Sequence, residues 1–383
     1  MPKKKLIVSL IFQNPKNLGH DIDYNICVGK AAKLLNLNHT TLLSERWQND
    51  QSIPASWMPC LQISDSQNKS KIFRVVEKII ELTPSLKKTI QNNISPLSHT
   101  VIFFMESFNL SHLISFYLAV YNLPPVDVKC VLLFRHNFFW EKKRFLYKLL
   151  IHLLSTKLGR TSLLLATDSD LVQKEASVYL NKPFHVMPMV HTDITDSFID
   201  RSTSTSKEKQ RIICWWPGFP KIDKGPTIVE KILREKNDYS QYFKIIAANI
   251  SSFKQTPGGP TLELIDDHLD RVQYARMFRA CDVILLPYDN KTYVLGTSGI
   301  FVEAISAGKV VFVTNGTWMA YELRQLGLDD LIIDWSHGDI LKKMYHIYKD
   351  ETVKKRIEKM QIYYRKKHSI ANFSEIFGKL TQN

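Results

Sequence analysis

Two short stretches hold residue types able to grip a phosphorylated ligand. In the first, Thr297, Ser298 and Gly299 stand ahead of an apolar run opened by Ile300, with Glu303 one turn further on. A helix starting there leaves backbone N–H groups free at its N-terminus, and its dipole favours an anion. Gly299 lets a phosphate approach closely, the two hydroxyls add donors, and Glu303 can accept hydrogen bonds from a sugar's vicinal hydroxyls. The same residues also read as helix capping with no ligand at all. In the second stretch, residues 218–225 (GFPKIDKG), Lys221 and Lys224 lie on a glycine-bounded loop. Two lysines so placed can neutralise a diphosphate that gains charge as it leaves. Read more plainly, they belong to a solvated loop.

The elements that position these groups alternate along the chain. Short apolar runs at 5–11, 40–43, 100–104, 130–135, 163–167 and 184–187 predict strands, and amphipathic segments at 71–82 and 168–180 predict helices. The polar stretch 200–210 (DRSTSTSKEKQ) reads as a linker. Beyond it the rhythm restarts, with strands at 211–216, 244–248, 282–286 and 310–314. Helices are expected at 227–236, 271–280, 300–306 and 350–367, and 252–261 reads as a loop. The pattern predicts an α/β protein of two Rossmann-like α/β/α domains facing across a cleft, at residues 1–199 and 211–383. Ligands of such sheets sit at the carboxyl ends of strands.

The 383 residues suit two domains, and 44% hydrophobic content excludes disorder. Cys27, Cys60, Cys130, Cys214 and Cys281 offer neither a zinc pair nor a disulfide framework, so a reducing, cytoplasmic setting is expected. No apolar run reaches 18 residues, which argues against a membrane-spanning helix. The net charge of +14 points to an anionic partner. Without a zinc pattern or RNP motif, nucleic acid is the disfavoured one.

The two chemical stretches, in this order, resemble the GT-B glycosyltransferases, in particular retaining enzymes of glycosyltransferase family 4. The matching elements are 212–216, Gly218 through Lys224-Gly225, a strand ending at Pro287-Tyr288, 298–308, and 309–313. The segments 14–43 and 166–190 resemble the family's first glycine loop and last N-terminal αβ unit. The resemblance implies transfer of a sugar from a nucleotide-diphosphate sugar to an acceptor hydroxyl, with retention and without a metal-binding Asp-x-Asp motif. No cofactor is implied beyond that co-substrate. Lys221 and Lys224 would hold the diphosphate, Glu303 the ribose, and Tyr288 with Thr297, Ser298, Gly299 and Ile300 the phosphate and sugar. Gly19 would let the N-terminal loop close on the donor, and His136 would reach the donor sugar or attacking hydroxyl, with His20 as runner-up. The resemblance also implies a last helix that crosses back to the N-terminal domain.

Two positions depart from the family. The Glu-x7-Glu pattern needs an acid at 295, which is Leu295, and the residue after the loop glycine, often Arg, is Phe219 with Lys221 as its basic substitute. A GT-B-fold protein that binds nucleotide or glycan without turnover is therefore the alternative. The positive charge concentrates between Lys129 and Arg160, opposed by Glu141 alone. Its mix of aromatics and lysines suits an anionic membrane surface, hence a peripheral place on an inner membrane face and a lipid-linked or glycan acceptor, as in cell-surface polysaccharide biosynthesis. A helix packed on the sheet with a solvated basic face is the other reading.

Overall fold

A computed structural model describes residues 4–13, 20–50, 53–63, 70–93, 99–121, 128–135, 137–192 and 211–382. The chain divides into two compact units, one of Met1–His191 with Ile370–Asn383, the other of Thr192–Ser369. The expected 200–210 linker lies outside the described residues.

The first unit alternates strand and helix. Its elements are β1 (Lys4–Ile11), α1 (Asp21–Leu34), β2 (Asn38–Ser44), β3 (Met58–Leu61), α2 (Lys71–Asn93), β4 (His99–Met105), α3 (Leu110–Tyr121), β5 (Val128–Phe134), α4 (Arg144–Leu158), β6 (Leu163–Thr167), α5 (Asp170–Leu180) and β7 (Phe184–Val186). All seven strands pair in parallel in the order β3-β2-β1-β4-β5-β6-β7. The central strands read as continuous apolar runs because both faces are covered; every residue of β5 is buried. The helix expected at 71–82 continues through Pro84 to Asn93.

The second unit repeats the plan with β8 (Ile212–Trp215), α6 (Pro226–Arg234), β9 (Phe243–Ala248), β10 (Thr261–Ile265), α7 (Arg271–Ala280), β11 (Val283–Leu286), α8 (Gly299–Ser306), β12 (Val310–Thr314), α9 (Trp318–Gln325), β13 (Ile332–Ile333), α10 (Ile340–Lys349) and α11 (Glu351–Lys367). Its parallel sheet runs β10-β9-β8-β11-β12-β13. Proline opens α6, where its missing N–H costs nothing. The stretch expected as a loop up to 261 gives way there to an edge strand, β10.

The final helix, α12 (Ile370–Gln382), belongs to the first unit. Phe373 and Phe377 enter a buried cluster with Ile7, Tyr24, Val28 and Phe104. The Lys5 and Lys129 ammonium groups both donate to the Thr381 carbonyl, at 3.2 and 3.0 Å.

Candidate functional site

In the second unit the two chemical stretches of the sequence are joined at the carboxyl end of β11. Gly225 has φ +73°, and a side chain there would meet the Pro287 carbonyl oxygen at 2.0 Å. Only glycine lets the lysine loop seat so closely on the strand end. Alongside, the Asp289 amide donates to the Asp223 carbonyl at 2.8 Å. The Lys224 ammonium then lies 5.9 Å from the Tyr288 ring centroid, and a side chain on Gly218 would stand 2.8 Å from it. Burial, and then the charge of Lys221, lower the Lys224 pKa against the opposing pull of Asp223. Lys221 itself is exposed, as is Phe219.

Tyr288 is buried, shares a hydrogen bond with Ser298, and packs 4.6 Å from the Tyr293 ring. Burial raises the Tyr288 hydroxyl well above its usual range and pushes Tyr293 up to about 12, the latter with help from Asp223. Both phenols therefore stay neutral donors. Ser298 caps α8, accepting from the Phe301 amide at 3.3 Å. Thr297, Gly299 and Ile300 are half-buried around that N-terminus, and Leu295 is buried behind it.

Glu303 sits one turn into α8 but is only 1% exposed, and it accepts the Tyr274 hydroxyl at 2.6 Å. Tyr274, on α7, escaped the sequence reading because nothing in the local pattern sets it apart; its ring packs on Trp215, 5.3 Å away. A cavity of about 570 Å³ opens beside α7 at the carboxyl ends of β9 and β10. The unit thus brings together a half-buried cation, a capped helix N-terminus and a held carboxylate, a set able to bind a diphosphate and stabilise it as a leaving group.

In the first unit, Gly19 and His136 lie outside the described residues. His20 is exposed beside His191, ring centroids 4.6 Å apart. The neighbouring strand ends hold a cluster that sequence reasoning missed. Arg135, after β5, donates to Asp168 after β6 at 3.0 Å and to Glu106 after β4 at 3.4 Å. Asn25 donates to Glu106 at 3.1 Å, and its guanidinium neighbour Arg135 lies 5.6 Å from the Tyr24 ring centroid. Burial drives the Glu106 carboxyl far up and raises Asp21, both against the Arg135 charge. The available signal was a polar residue directly after each apolar run.

The basic stretch splits in two. Lys129 is buried against Thr381 and Arg135 is held by carboxylates, so neither offers charge to a partner. Phe138, Phe139, Leu150 and Leu154 are core. What remains outside is narrower: Trp140, Phe145 and Leu149, each at least half exposed, among exposed Lys142, Lys143, Arg144 and Lys148.

No family model and no curated sequence matches the chain. Among solved structures it is similar to sucrose-phosphate synthase from Thermosynechococcus elongatus (TM-score 0.68, 10% identity, covering 99% of this chain and 98% of that one). It is also similar to the E. coli trehalose-6-phosphate structure bound with UDP-2-fluoro glucose (TM-score 0.66, 12% identity, 99% of each chain) and to a glycosyltransferase from Rickettsia africae (TM-score 0.64, 11% identity, 99% of each). The fold is GT-B.

Proposed function

We propose that this protein is a glycosyltransferase that moves a sugar from a nucleotide-diphosphate sugar to an acceptor hydroxyl. The observation that carries the reading is the Lys224 ammonium, held over Gly218 beside Tyr288 by a loop that Gly225 seats on the end of β11. The capped start of α8 follows on the same strand's connection. In this reading Lys224 and Lys221 neutralise the departing diphosphate, and Tyr288, Thr297, Ser298, Gly299 and Ile300 surround the phosphate and sugar. Glu303 turns from Tyr274 to the ribose. The second unit takes the donor and the first the acceptor, with retention and without a metal ion, as the family 4 motifs suggest. Incubation with UDP-, GDP- and ADP-sugars tests this by nucleotide release and product anomer. Release should be abolished in Lys224→Ala and Glu303→Ala and survive chelation.

Leu295 and Phe219 favour a second reading, a donor-binding protein without turnover. Donor that binds but is never consumed, with any acceptor extract, would select it. The exposed apolar and basic residues around the start of α4 support a peripheral anchor on an anionic membrane and hence a lipid-linked or membrane-proximal glycan acceptor. Among the described residues no helix is long and apolar enough to cross a membrane. Co-sedimentation with phosphatidylglycerol vesicles, lost in a Trp140→Ser, Phe145→Ser double variant, tests the anchor.

A further inference from the structure

Helix α2 of the first unit carries an apolar ridge on its outer side. Its later turns pack inward through Leu82, Leu86 and Ile90, all buried. Its first turns differ. From Ile72 to Glu81 no residue is buried, although five large aliphatic side chains and Phe73 fall there. Ile72, Val76 and Ile80 recur at every fourth position and are 78%, 47% and 65% exposed, and exposed Pro84 continues the row. Residues four apart share one helix face, so the row forms a ridge about 18 Å long. A helix gains its stability mainly by burying such a face, and contiguous exposed apolar surface marks an interaction site. The residues just ahead of α2, 64–69, read SDSQNK and bring nothing apolar to cover it.

We infer that a second copy of this chain covers the ridge, α2 packing antiparallel on α2 about a twofold axis beside Lys78. Charge decides the occupant. Arg74 and Glu81, two turns apart, lie along one flank of the ridge, and among the described residues neither side chain forms a hydrogen bond or ion pair. Glu77 stands on the same flank. Helices that lie in a membrane interface carry Lys and Arg on their flanks, and these two carboxylates would meet an anionic bilayer with repulsion. Against an antiparallel copy the same pattern complements itself. Val76 meets Ile80 of the other chain, Ile72 meets Pro84, and each Arg74 faces the opposite Glu81, so one face serves both copies as a twofold interface requires. The charged pair and the apolar pairs centre within one residue of each other, about 1.5 Å along the helix. The seam is short, below about 1,200 Å² in total, which is the range of weak and transient association.

Sedimentation velocity of the full chain over a wide range of concentration tests the inference. The weight-average sedimentation coefficient should rise with concentration from that of a monomer towards that of a dimer. Ile80→Lys, a change at an exposed position, should hold the chain monomeric with its circular dichroism unaltered. Arg74→Glu and Glu81→Arg each set like charges face to face and should weaken association about tenfold. The double variant restores opposite pairs and should recover it. A coefficient independent of concentration would overturn the inference, as would association that Ile80→Lys leaves intact. A double variant no stronger than either single one would overturn the antiparallel pairing. A chain that stays monomeric, and whose binding to phosphatidylglycerol vesicles falls in Ile80→Lys, would give the ridge to a bilayer instead.

Discussion

Replacing Gly225 by alanine probes the joint on which the donor site depends. The residue sits at φ +73°, where a non-glycine residue costs about 1–2 kcal/mol. The added methyl carbon would also overlap the Pro287 carbonyl oxygen at 2.0 Å, and backbone cannot rotate away as a side chain does. Relieving that overlap by shifting the loop costs roughly another 1–3 kcal/mol. At about 2–4 °C per kcal/mol for a unit of this size, a total near 3 kcal/mol lowers the melting temperature by about 6–12 °C. Gly327→Ala is the control: its φ is +66°, yet nothing lies within 4 Å of the added atom, so only the conformational cost applies. Differential scanning calorimetry of both variants, with titration of the preferred nucleotide, reads the difference. Gly225→Ala should melt lower than Gly327→Ala and bind nucleotide at least tenfold more weakly. Equal melting losses with unaltered nucleotide affinity in both would refute the idea that this contact sets the lysine loop.

Other perturbations have equally defined outcomes. Tyr274→Phe removes the hydroxyl that a buried Glu303 accepts and should cost about 1–3 kcal/mol in urea denaturation. Because the Lys224 pKa is lowered, nucleotide affinity should fall as pH rises through that lowered value, before an ordinary lysine would titrate; Lys224→Arg should flatten the decline. His112 and His368 are buried and His39 half-buried, and this desolvation lowers their pKa values to about 3, 3 and 4 respectively. Their depressed folded-state values mean that the stability they contribute is present above pH 6.5 and lost as pH falls towards those values. Each contributes up to about 1.4 kcal/mol per pH unit, so His112→Phe, stacked on Phe12, should shallow the acid slope.

The central strands were legible because doubly covered strands are uninterrupted apolar runs: 163–167 and 310–314 coincide with β6 and β12. The strands that escaped, β3, β10 and β13, are all at sheet edges. There one side lacks a partner, and the signal shrinks to a Pro-containing tetrapeptide, a half-buried run or two residues. Helix α8 and the lysine loop were legible because glycine, serine and lysine mark backbone needs locally. The Tyr274–Glu303 bond and the Arg135 cluster were not, since they join residues 29 to 81 positions apart through hydrogen bonds whose making depends on strand order. The basic stretch misled in part, because composition cannot tell a lysine buried on a carbonyl, such as Lys129, from one in water.

Helix α12 gives the first unit a history as well as a shape. A ribosome makes residues 4–191 long before residues 370–382, yet Phe373 and Phe377 complete the core around Ile7 and Phe104. Until α12 has been made, that nascent core stays open on the α1 side while the second unit, continuous in the chain, is free to fold alone. Truncation before Ile370 should therefore leave a second unit that still forms, tethered to a first unit in permanent need of a chaperone.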